Sequence, residues 1–137
     1  MRRVSVSLLA WLALCNAAQA APSACALRSE RPMIEAQLFF GREIDSRGPV
    51  TKEEWSDFAS SVIAKNFPDG FTVIDGEGAW LDPESKATIH EDSKIVQIVA
   101  KQSSHLAAKL THMMDVYKTQ FHQHSVGLVT RQVCAAF

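Results

Sequence analysis

Four side chains are of the types that hold or process a polar ligand: Arg42, Asp75, Glu91 and Tyr117. Arg42 closes an apolar run, and its planar guanidinium can clamp a carboxylate or another anion. It can equally pair with Glu43 or Asp45 beside it. Asp75 opens Asp75-Gly76-Glu77-Gly78. Acids between glycines suit a loop beside a pocket, and they equally suit a bulge or tight turn. Glu91 stands at the head of a long apolar strand, and Tyr117 falls on the apolar stripe of a helix. A buried tyrosine ring needs a partner for its hydroxyl. Antiparallel pairing of the first and third strands brings Arg42 toward Glu91, with a charge-assisted and bidentate bond expected between them. We take Arg42, Asp75, Glu91 and Tyr117 as one candidate pocket between sheet and helices. The competing reading is a salt bridge that covers the end of the sheet.

Other reactive residues carry less. Glu91 and Asp92 are adjacent, and neighbours in a strand face opposite ways. They are therefore no obvious acid–base pair, which needs one carboxyl at a raised pKa in a shared pocket. His122 and His124 have the spacing of two metal ligands on one strand face, but no acid or cysteine stands at a ligand spacing beside them. No metal and no cofactor is expected. The chain has no H-E-x-x-H, P-loop or G-x-S-x-G sequence. Ser125 beside His124 lacks an orienting acid and an oxyanion site. Trp55 reads as a core anchor, and the stripe Leu106, Leu110, Met113, Tyr117, Phe121 reads as core packing.

The first twenty residues read as an address. Arg2 and Arg3 precede an apolar stretch from Val4 to Cys15, and Ala18-Gln19-Ala20 has the small-x-small form of a cleavage site. The mature chain is expected to begin at Ala21. Leu12-Ala13-Leu14-Cys15 resembles a lipoprotein site, with Leu14 larger than that site prefers. The stretch falls short of the ~20 residues of a membrane span, so no stable span is expected after cleavage. The destination is the periplasm or the exterior, with a lipid-anchored form as the alternative.

Fourteen basic and fifteen acidic side chains give −1, and losing Arg2 and Arg3 takes the balance to −3. The bases are scattered, so no nucleic-acid surface is expected. Cys25 and Cys134 survive cleavage near opposite ends of the mature chain. In an oxidising compartment they are expected to form a disulfide. Two free buried thiols are the competing reading.

These residues are carried by six elements. Residues 21–32 read as an irregular lead-in and 33–137 as one α+β domain. Met33–Gly41 alternates as a strand, with Ile34, Ala36, Leu38 and Phe40 on one face. Thr51 and Glu54 form a capping box, and Val50 and Trp55 a hydrophobic staple, for a helix ending near Lys65. Phe71–Leu81 reads as a strand interrupted at Gly76–Gly78, followed by a turn at Asp82–Lys86. Thr88–Ala100 is a third, central strand. A helix from Ser104 to Phe121 and a strand from Ser125 to Val133 complete the chain. The order β–α–β–β–α–β predicts a ferredoxin-like sandwich, an antiparallel sheet with two helices on one face. In that topology the first and last strands pair, which brings Cys25 and Cys134 together.

The stretches QLFFGR (37–42), WSDF (55–58), FPDGFTVIDGEGAW (67–80), EDSKIVQI (91–98) and YKTQFHQHSV (117–126) resemble a bacterial secreted family, domain of unknown function 3574. The resemblance implies an exported or envelope-associated protein and brings no catalytic residues. Relatives commonly carry an arginine where this chain has Asn66, and often another where it has His90. Two functions follow as expectations. One is an exported accessory or interaction module of the envelope, a homodimer or the partner of an envelope protein. The alternative is a small-molecule-binding protein or cofactor-free enzyme.

Overall fold

The computed structural model describes residues 25–45 and 47–137. The expected signal peptide, the cleavage before Ala21 and the alternative lipid site at Cys15 lie outside the described residues. The elements are β1 (Arg31–Gly41), a helical segment α1 (residues 52–66), β2 (Thr72–Leu81), β3 (Thr88–Ala100), α2 (Leu106–Phe121) and β4 (Gly127–Ala135). The strands form one sheet in the order β2-β3-β1-β4, with every pairing antiparallel. Both helical segments cover one face, so the chain has the ferredoxin-like α+β sandwich expected of its element order.

Alternation in β1 builds the core. Ala36, Leu38 and Phe40 are buried on the helix side, opposite Ile98, Val96 and Lys94 of β3. Phe40 packs edge-to-face on Trp55, Phe58 and Tyr117, with ring centroids 5.6, 5.7 and 4.7 Å away. Such pairs contribute about 0.5–1.5 kcal/mol each beyond the area they bury.

Helix α1 starts as its sequence dictates. The Glu54 N–H donates to Thr51 Oγ1 (3.2 Å), and the Thr51 N–H donates to Glu54 Oε2 (2.9 Å). Val50 and Trp55, the staple pair, are both buried. The helix is α from Lys52 to Phe58, π from Ala59 to Ile63, and α again from Ala64 to Asn66. The wider turn places Ile63 below Phe58, where a regular helix would put Val62. Phe58 and Ile63 are fully buried, and Val62 only partly so.

Two expectations of the sequence need correction. Strand β2 is not interrupted at Gly76–Gly78: its pairing with β3 runs without a break from Thr72–Gln97 to Leu81–Thr88. The glycines take extended geometry, and the long β3 templates the whole ladder. The irregular lead-in is shorter than expected, because β1 begins at Arg31, ahead of Met33. Pro32 is tolerated there because the β3 pairing stops at Ile34–Ala100, leaving β4 as the one strand alongside.

Cys25 and Cys134 are joined by a disulfide with Cα atoms 5.6 Å apart. It fastens the segment before β1 to the end of β4, as the topology requires. No described helix is long and apolar enough to cross a membrane.

Candidate functional site

The end of β1 leads into a charged rim. The Arg42 N–H continues the ladder to Asp92 O (3.0 Å), and Val50 donates back to Arg42 O (2.8 Å). The guanidinium turns toward the helices, donating from Nε and Nη2 to Val50 O (3.1 and 2.6 Å). Its Nη1 lies 3.9 Å from Asp92 Oδ2. Arg42 thus ties Val50, just ahead of α1, to the end of β1. Strand parity decides its acidic partner: residues 42 and 92 share the helix side, whereas Glu91 belongs to the opposite face. There the Glu91 carboxylate rests over Gly41, where any side chain would collide with it.

Asp75 also lies on the helix-side rim and pairs with Lys94. The hydrogen bond from Lys94 and its charge hold the Asp75 carboxyl below the usual range. Glu77 Oε1 lies 3.2 Å from His90 Nδ1 on the neighbouring rung. Arg42, Lys52, Asp75, Glu77, Asp92 and Lys94 bound a concavity of about 440 Å³. Three acids face three bases there, and a carboxyl with a lowered pKa is a weak base. Tyr117 is fully buried in the helix layer, and its hydroxyl donates to Gly41 O (2.9 Å). Burial pushes its phenol well above the ordinary range. Of the four residues expected at one pocket, Arg42 and Asp75 line this concavity. Glu91 and Tyr117 approach Gly41 from the sheet's open face and from the core.

A larger concavity of about 1010 Å³ lies at the other end of the sheet, between the end of β3 and the facing helix ends. Phe67, Phe71, Ile98 and Leu106 supply its apolar wall, and Asn66, Asp69, Thr72, Gln97, Lys101, Ser103 and Lys109 its polar groups. The turn Phe67-Pro68-Asp69-Gly70 forms one lip. It closes through Gly70 N–H to Phe67 O (3.2 Å), with Gly70 at φ +122°, a conformation that favours glycine. Lys109 Nζ donates to Asn66 O (2.9 Å) and stands 5.7 Å from the centroid of the Phe67 ring. An apolar wall lined by two lysines and one aspartate carries a net positive side-chain charge, which suits a ligand with an apolar body and a negative group. The sequence signal for this site was FPDGF, a turn between two phenylalanines, but its lysines come from a distant helix start and strand end.

His122 and His124 line neither concavity. His122, at φ +52°, closes α2 by donating its N–H to Lys118 O. His124 lies 3.9 Å from Asp45, with both side chains almost fully exposed. Among the described residues, the one cluster of potential ligating atoms is Cys25, Glu30 and Cys134. Its two sulfurs are already joined to each other.

Among solved structures, a phage SAM lyase in complex with S-methyl-5'-thioadenosine is similar to this chain. The TM-score is 0.58 at 15% identity, over 77% of this chain and 90% of that one. The phage SAM lyase in its apo state gives 0.56 at 14% identity, with the same coverage. At these identities the likeness is one of fold. No curated protein matches the sequence. The family described as "Protein of unknown function (DUF3574)" matches residues 35–137, nearly the whole of the described domain, and the chain belongs to that family.

Proposed function

We propose that the protein binds a small organic molecule with an apolar body and an anionic group in the concavity between β3 and the helix ends. The observation that carries this is the cavity itself. About 1010 Å³ is room for a drug-sized ligand, and Phe67 and Lys109 meet at its edge. The fold is shared with a phage lyase solved with a nucleoside thioether, so purine nucleosides are suitable first probes. Binding is favoured over catalysis because Asp69 is the one carboxylate side chain among the described residues lining this cavity, with no histidine or cysteine beside it to share acid–base work. The setting is an oxidising compartment outside the cytoplasm. The Cys25–Cys134 disulfide supports that assignment.

The test is a titration of 15N-labelled protein with S-methyl-5'-thioadenosine and with adenosine 5'-monophosphate. Saturable shifts of the amides of Phe67, Lys101 and Lys109 are expected. The monophosphate should bind more tightly, and Lys101→Met and Lys109→Met should each weaken it by about 3–10-fold, as for loss of a charge-assisted contact. Binding centred instead on Arg42 and Asp75, or no saturable shift with either probe, overturns the assignment.

A further inference from the structure

We propose that the face of the sheet turned away from the helices is the packing surface for a second copy of this chain. This inference does not draw on the ligand cavity. Two apolar ridges cross that face. The first is Phe39, Ile95 and Ile74, which are cross-strand neighbours on β1, β3 and β2. The second is Trp80 beside Ile89 on the β2–β3 hairpin. Trp80 is 51% exposed and Ile74 45%. An apolar surface of this kind is buried in proteins that associate.

Between the ridges lies a trough floored by Gly78, since Ile95 and Ser93 already lean over Gly76. Gly78 has no reason of its own to be glycine. Its φ is not in the left-handed region, and a Cβ there would meet nothing nearer than Glu91 O at 3.8 Å. Glu91 folds toward Gly41 and leaves the Gly78 position clear. A strand glycine without an internal reason marks the close approach of another surface. The relief that would fill the trough, an apolar ridge, is present on the same face. Ridge and trough on one surface are what a two-fold, self-complementary contact requires.

Charge agrees with like packing on like. At the centre of the face Arg131 donates from Nε and Nη2 to Glu35 (2.7 and 2.9 Å), and Gln97 donates to the same carboxylate (2.8 Å). This closed, neutral group brings no unmatched charge to its twin, and it offers no net charge for an acidic or basic partner to select. The extent is adequate as well. Four strands about 4.8 Å apart, at ~3.3 Å per residue, make a face on the order of 700 Å² before corrugation. A standard interface takes ~800 Å² from each partner.

Sedimentation velocity on the full chain, purified oxidised, tests this. The expected species has twice the monomer mass. Trp80→Glu and Gly78→Leu should each weaken association by at least about tenfold while the far-UV circular dichroism stays unchanged. Gly78→Leu is informative because the monomer has room for the side chain. A wild-type chain that remains monomeric at on the order of 100 μM, where interfaces of this size are populated, overturns the proposal. So does a dimer that both variants leave intact, or one that forms only with a different protein.

Discussion

Glu35 sits on the uncovered side of the sheet and yet is only 5% exposed, because Arg131 and Gln97 close over it. The hydrogen bonds from Arg131 hold its carboxyl below the usual range against the opposing effect of burial. The sign of the consequence is fixed. A carboxyl whose pKa is lower folded than unfolded contributes stability that is complete above the unfolded value, ~4.3 for Glu. That stability is lost as the pH falls through the folded value. Glu54, Asp75 and Asp82 are lowered too and act in the same direction. Urea midpoints measured from pH 7 downward should therefore fall below about pH 4.3, and Glu35→Gln should flatten part of that fall. None of this network was legible in the sequence, since Gln97 and Arg131 lie 62 and 96 residues from Glu35. Arg42 was legible only in part, since the sequence placed an acid of β3 beside it but did not show which one. With the register Gly41↔Ser93 in place, strand alternation selects Asp92 as its partner and sends Glu91, the partner expected from the sequence, to the other face. The same rule read in the sequence had already separated Glu91 from Asp92.

Within helices and strands, signals carried by chain neighbours are legible in the sequence and those carried across the fold are not. The capping box, the staple and the full extent of β3 were all visible, because each depends on neighbours in the chain. The π turn was not visible. The stripe Trp55, Phe58, Ala59, Val62, Ile63 is compatible with a regular helix, and only the fixed positions of the sheet and α2 select Ile63 over Val62. A prediction follows from that phase. Deleting Ser61, which is exposed, would leave Phe58 and Ile63 four residues apart, the spacing of a regular helix. The deletion should keep the fold, with an unfolding free energy within about 1 kcal/mol of wild type. A deletion that unfolds the protein would show that the π turn is required for more than register. The expected break in β2 failed for the same reason in reverse. Glycine was read locally as a bulge, while the pairing with β3 was decided across the sheet.

For the whole molecule, the sandwich topology and the disulfide were legible together, because the first and last strands of this element order must pair. The larger cavity was not, because its walls come from β3, both helices and the 67–70 turn. The disulfide closes a loop over a sequence separation of 109 residues. Removing it by Cys25→Ser with Cys134→Ser should cost about 2–5 kcal/mol, read from denaturant unfolding of oxidised wild type against the variant. A change below 1 kcal/mol would mean that the unfolded chain is not restrained by the link. The same bond has a mechanical meaning. With Cys25 tied to Cys134, tension applied to the ends of the domain passes through one covalent bridge and not through the strands or helices. The enclosed fold bears no load, and a protease that cuts the exposed turn between β2 and β3 opens the ring without releasing either piece.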